Sequence, residues 1–156
     1  MRLPKLTALL FSLPIMFLIS CKSTSDVERD NIYYGITSMS GTQETPAVIT
    51  SATGFIDANY NRLTKTLSYT VTFSGLTKAA SAAHIHGTGE TGIAAPVLQT
   101  FVGFPAVTAG TYSGTLLIDG VKFLENELLA GRYYINIHNA TYTAGEIRGQ
   151  LVLSKK

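Results

Sequence analysis

A single cysteine, five prolines and no tryptophan occur in 156 residues, and these shortages narrow what the chain can be. One thiol can form neither an intrachain disulfide framework nor a cysteine-rich zinc site. Charge is scarce as well, at 14% of residues. Lysine and arginine number 12 against 10 acids, and Arg2 and Lys5 fall in a leader expected to be removed, which leaves ten of each. With no basic surplus and no run of like charge, the electrostatic footprint of phosphate binding is missing, and nucleic acid is excluded as a partner. No serine sits in a G-x-S-x-G elbow and few acids lie near the histidines, so a hydrolase triad has no support. No repeat of solenoid or propeller period is visible. What is present is 46% apolar side chains, enough for one globular domain behind a hydrophobic leader.

The leader has a basic start (Met1, Arg2, Lys5), an apolar stretch over residues 6–19 interrupted by Pro14, and a small residue, Ser20. This is the anatomy of a secretory signal. The stretch is shorter than the roughly 20 apolar residues that a bilayer core demands, and it contains a proline. Leu18-Ile19-Ser20-Cys21 resembles the lipobox of bacterial lipoproteins, which implies that Cys21 is acylated and becomes the mature N-terminus. Two or three acyl chains, at about 0.8 kcal/mol per buried methylene, anchor stably where one is marginal. Lys22 after the cysteine points, by the same resemblance, to the outer membrane of the cell envelope. Residues 22–31 (KSTSDVERDN) are too polar to join a core and read as a tether on the order of 17 Å long. The expected organisation is a signal peptide over 1–20, an acylated cysteine and tether over 21–31, and a domain over 32–156.

That domain reads as strands. Leu67, Tyr69, Val71 and Phe73 alternate with Ser68, Thr70, Thr72 and Ser74, a two-residue period that predicts a strand with one packed and one wetted face. Similar runs at 32–37, 53–60, 83–86, 97–101, 112–118, 132–138 and 146–153 bring the expectation to about eight strands. Turn signals lie between them, at residues 59–62, 74–75, 87–92 and 109–110. Only 121–130 (VKFLENELLA) looks helical, with Gly131 suited to the position just past a helix end. Short strands without repeated intervening helices predict an all-β antiparallel sandwich or barrel with one short connecting helix.

The three histidines fall in two places. His84 and His86 are two apart and share a strand face, and His138 shares its face with Asn136 and Tyr134. Glu146, Arg148 and Gln150 line one face of the last long strand. Three neutral imidazoles suit Zn²⁺ or Cu²⁺ with an open fourth position, and Asn136, Glu146 or backbone carbonyls could accept from their remaining N–H groups. The alternative is a structural polar cluster in which the histidines bridge Glu146 and neighbouring hydroxyls. Glu146 and Arg148 are expected to form a same-face ion pair. Gly87-Thr88-Gly89-Glu90-Thr91-Gly92 matches G-x-G-x-x-G in letters, but that motif works only where it opens a helix. Pro96 follows and no acid stands about 20 residues on, so it reads as a turn. No catalytic residue is assigned.

Four segments together carry a family resemblance: Gly41-Thr42-Gln43-Glu44-Thr45-Pro46, Ala83-His84-Ile85-His86-Gly87, residues 129–138 (LAGRYYINIH) and Gly145-Glu146-Ile147-Arg148-Gly149-Gln150-Leu151. In this order they resemble the CHRD domain over about residues 33–153. The resemblance implies an immunoglobulin-like or related β-sandwich with a binding or structural role. The His-x-His-Gly segment with a late Arg-Gly is also similar to the copper strand and anion-guiding arginine of copper-zinc superoxide dismutase, which implies a dismutase-like sandwich with His84 and His86 as ligands. The zinc loop and disulfide cysteines of that family are absent here. The sequence therefore yields three expectations of function. The first is a membrane-anchored CHRD lipoprotein with a binding or structural role. The second is a Zn²⁺ or Cu²⁺ protein built on His84, His86 and His138. The third is a module that takes a protein or carbohydrate partner through loops and tyrosines.

Overall fold

In the computed structural model, Ser23 and residues 29–155 are described. The expected signal peptide, Cys21 and most of the tether lie outside them. Nine strands form one sheet: β1 (Ile32–Ser40), β2 (Thr53–Asn61), β3 (Thr66–Ser74), β4 (Ala80–His86), β5 (Val97–Thr100), β6 (Gly110–Leu117), β7 (Tyr134–Asn139), β8 (Ile147–Gln150) and the two-residue β9 (Ser154–Lys155). A short helix, α1 (Glu125–Leu129), precedes β7. The spatial order is β5-β4-β7-β8-β1-β2-β3-β6, with β9 also pairing with β1, and the pairs are antiparallel. The fold is all-β, with the strand number expected plus the small β9. Among the described residues no helix is long and apolar enough to cross a membrane.

Period-two patterning decides which way each strand faces. In β3, Leu67, Tyr69, Val71 and Phe73 are buried, and in β2 so are Ile56, Ala58 and Tyr60, because alternate side chains of a strand share a face. The other half of the sheet sends Ala83 and Ile85 of β4, Ile135 and Ile137 of β7 and Ile147 of β8 into the same hydrophobic cluster. The sheet is therefore curled so that its two halves enclose one core, the arrangement a sandwich requires. An aromatic seam joins the two ends of the strand order. Tyr69 stacks on Phe101 at 5.2 Å, Phe101 on Tyr112 at 4.9 Å, and Phe104 on Phe73 at 5.2 Å.

The helix is shorter than its sequence pattern, and the cause is local. Asp119 Oδ1 accepts from the backbone N–H groups of Val121, Lys122 and Phe123. A side-chain acceptor before an apolar run holds these amides in a turn and delays the helix. These bonds also hold the Asp119 carboxyl below its ordinary pKa. Gly131 follows the helix at φ +70°, the left-handed conformation that ends many helices.

β7, like β8, is buried along its whole length. Its apolar side meets the core. Its other side carries Tyr134, Asn136 and His138, which β4 and β8 extend with His84, His86, Arg148 and Gln150. Cross-strand pairing sets these residues side by side, with Asn136 opposite both His84 and Arg148, and Tyr134 opposite both His86 and Gln150. Loops rather than a second sheet cover this polar face.

Candidate functional site

The three imidazoles converge. His84 Nδ1 lies 2.9 Å from His138 Nε2, and one ligand nitrogen from each ring lies within 4.8 Å of the other two. Asn136 stands between them, with Oδ1 2.9 Å from His86 Nε2 and 2.8 Å from His138 Nε2. The far nitrogens of two rings meet the covering loops. His86 Nδ1 is 2.9 Å from the Ala95 carbonyl, and His138 Nδ1 is 2.9 Å from the Thr143 carbonyl. A carbonyl oxygen only accepts, so each Nδ1 carries the proton, and in a neutral ring Nε2 is left as a bare lone pair.

Burial keeps two of the rings, His84 and His138, uncharged at neutral pH. It pushes the His84 pKa down to about 4, with His138 and His86 adding to the effect. Burial likewise lowers the His138 pKa, opposed by its bond to Thr143. Desolvation penalises the imidazolium, and a neighbouring ring penalises it further. At neutral pH both rings are neutral bases. His84 is half-buried and forms the open side of the cluster, whereas His86 and His138 are buried.

A second layer holds the loops in place. The Tyr134 ring stacks on His86 at 4.6 Å between centroids, nearly parallel at 4°. The Arg148 guanidinium stands 3.4 Å from the Tyr134 centroid, a cation–π contact strengthened by removal from water. Arg148 Nη1 donates to Ile93 O at 3.0 Å and Thr45 Oγ1 at 3.4 Å. Its Nη2 donates to Glu90 O at 3.2 Å and Gln150 Oε1 at 3.1 Å. Gln150 Nε2 donates to Gly89 O and Gly131 O, each at 2.8 Å. The segment that resembled a dinucleotide fingerprint is thus a loop clamped by two side chains of β8, and its far end supplies the Ala95 carbonyl that sets the His86 tautomer.

The ion pair expected between Glu146 and Arg148 is not formed. Glu146 lies just before β8, and its carboxylate is taken up by Thr50 Oγ1 at 2.6 Å, by Thr77 N and Oγ1, and by Asn139 Nδ2. It serves the end of β7 and does not touch the histidines. Of the acceptors proposed for the ring N–H groups, backbone carbonyls take that role, and Asn136 sits at the lone pairs. Burial lowers the Arg148 pKa from its ordinary value, opposed by Tyr134 and by the nearby Glu44 carboxyl.

Glu44 is the residue that sequence reasoning passed over. It is 8% exposed, and its Oε1 is the one buried side-chain polar atom without a hydrogen-bond partner among the described residues. Burial pushes its pKa up to about 7, against the pull of Arg148 and the Asn136 amide. Gly145, at φ +127°, passes over Glu44 and Asn136 so closely that a Cβ there would collide with both. Only the GTQETP resemblance pointed to Glu44, because a carboxyl in a loop has no period to reveal its burial.

Comparison with known proteins gives one match. The family model of the CHRD domain matches residues 36–151. No curated protein and no solved structure matches the chain.

Proposed function

The chain belongs to the CHRD domain family, and from that premise we propose that it is a binding module of the bacterial cell envelope, anchored to the membrane through a lipid on Cys21. The domain is a β-domain with a binding or structural role. The polar face of β4, β7 and β8 is its binding site.

One observation carries that reading. Of the eight buried polar or charged residues among those described, six belong to this face or cover it: Glu44, His86, Asn136, His138, Arg148 and Gln150. Burying such groups costs free energy unless every partner is supplied. The apolar side of the same strands already provides the hydrophobic core, so these groups are not what buries the sheet's apolar surface. Clusters of this kind, with shifted pKa values beside an open edge, are where ligands bind. For the anchor, the support is the lipobox-like Leu18-Ile19-Ser20-Cys21 and the polar tether after it.

Two measurements test the proposal. Cells given labelled palmitate are expected to label the wild-type chain and not Cys21→Ser, with the wild type recovered in the outer-membrane fraction. Unlabelled wild-type protein would remove the anchor. For the site, thermal unfolding of the full chain in detergent is followed against metal ions, peptidoglycan fragments and oligosaccharides. At least one class is expected to raise Tm in the wild type and not in His84→Ala. A flat response to every class would leave a structural domain.

A further inference from the structure

The proposal above leaves the ligand unnamed, and the arrangement of lone pairs on the polar face narrows it. We propose that His84 Nδ1, His86 Nε2 and His138 Nε2 are the ligands of a divalent transition-metal ion of the Zn²⁺ and Cu²⁺ class. This deepens the binding reading and rests on it.

The first argument is proton counting. With Nδ1 of His86 and His138 donating to the Ala95 and Thr143 carbonyls, both Nε2 atoms present lone pairs to Asn136 Oδ1. Oxygen is an acceptor too. Both Nε2 lone pairs thus face the Asn136 oxygen at hydrogen-bond distance, and a proton reaches His138 Nε2 only where His84 carries it on Nδ1, 2.9 Å away. Asn136 is held in this sense because its Nδ2 donates to the Ala144 carbonyl at 3.3 Å. A cation resolves the conflict, since each lone pair then points at positive charge.

The second argument is preorganisation. A metal-bound histidine ordinarily donates its other ring nitrogen to a carbonyl or carboxylate, which fixes tautomer and ring angle. Two of these three rings already do so. Bonds of about 2.0 to 2.1 Å around a tetrahedral ion place ligand atoms about 3.3 Å apart, and the three nitrogens lie within 4.8 Å of one another. Closing on an ion requires only small ring rotations. His84, half-buried, completes the set by moving its proton to Nε2 on the solvent side, and its edge is the way in.

Donor type selects the metal. Three imidazoles, with no thiolate and no carboxylate in the set, suit borderline ions such as Zn²⁺ and Cu²⁺. Mg²⁺ and Ca²⁺ require oxygen cages, and Cu⁺ favours sulfur. The Asn136 amide oxygen or a water molecule is available for the fourth position.

The test uses the full chain in detergent, stripped with a chelator and titrated calorimetrically with Zn²⁺ and Cu²⁺, with Co²⁺ as an optical probe. One equivalent is expected to bind, and Co²⁺ is expected to give the intense visible bands of a tetrahedral site. His84→Ala should weaken binding by at least about tenfold while far-UV circular dichroism stays unchanged. Because His86→Ala or His138→Ala could fail to fold, a second measurement follows the imidazole nitrogens of the wild type by NMR. Both Nε2 signals should shift on adding Zn²⁺ while both Nδ1 stay protonated. Non-saturable binding, equal affinity in His84→Ala, or Nε2 atoms that keep accepting from a turned Asn136 amide in the presence of metal would each overturn the assignment. A Tm rise with a saccharide or peptidoglycan fragment alone would sink the metal and spare the binding reading. A flat response to every class would sink both.

Discussion

Glu44 and Arg148 are two buried ionisable groups with opposite problems, and each leads to a prediction. Burial raises the Glu44 pKa from an ordinary 4.5 to about 7. A carboxyl whose folded pKa lies above its unfolded value takes up a proton on folding. Its favourable contribution is therefore complete below about pH 4.5 and is lost as pH rises through 7. Glu44→Gln imitates the protonated form at every pH. In denaturant unfolding with chelator present, the stability of Glu44→Gln relative to wild type should stay level up to about pH 4. It should then climb by roughly 3 kcal/mol by pH 8. The depressed histidines titrate in both proteins and cancel in the difference, so parallel curves would contradict the raised pKa. Arg148, 1% exposed, has the reverse difficulty of a permanent charge that needs acceptors. It finds them in the Glu90 and Ile93 carbonyls, Thr45 and Gln150. Lysine keeps the charge but not the planar fork. Arg148→Lys is expected to lose about 3 kcal/mol in urea unfolding, the cost of carbonyls left unpaired. A loss below about 0.5 kcal/mol would show that the clamp on the loop is weak.

Among the elements, the aromatic seam matters most, because it brings the end of β5 against β3 and β6. Phe101 is buried and stacks on both Tyr69 and Tyr112, whereas its neighbour Val102 is 87% exposed. Phe101→Ala should lower stability by about 3 to 4 kcal/mol, and Val102→Ala by less than about 0.5. Comparable losses for the two would mean that the seam does not close the sheet. The strands on either side of this seam were legible from alternation alone, since Leu67 through Phe73 can bury one face only in a strand. The facing of the histidine side chains was legible too, because period two puts His84 beside His86 and His138 beside Asn136, but which strands pair was not. Competition and backbone were not. Asp119 withdraws three amides from the expected helix. Glu146 meets Thr50, Thr77 and Asn139 instead of Arg148, and β9 is two residues with no pattern to read. The carbonyls of Ala95 and Thr143, which set the histidine tautomers, belong to loops whose paths no side-chain periodicity encodes.

On the scale of the molecule, the last strands hold the two halves together. β8 lies between β7 and β1, with Asn136 opposite Arg148 and Ser40 opposite Arg148 on the other edge. It is the one link through which β5-β4-β7 joins β1-β2-β3-β6 in the strand order. Ile147 and Leu151 are fully buried in the shared core, and Arg148 and Gln150 hold the loop over the polar face. Pairings that join distant parts of the chain stabilise only once most of the fold is in place, so the two halves should form and melt as one unit. A chain ending at Gly145 would leave β7 and β1 each with an unpaired edge and expose the core on both sides of the gap. It is expected to show no near-UV signal from its tyrosines and no cooperative melt, while the full chain melts in a single transition seen identically by near-UV and far-UV circular dichroism. Retention by the shortened chain of a cooperative transition from its β1-β2-β3-β6 half would divide the molecule into two folding units and contradict the single core.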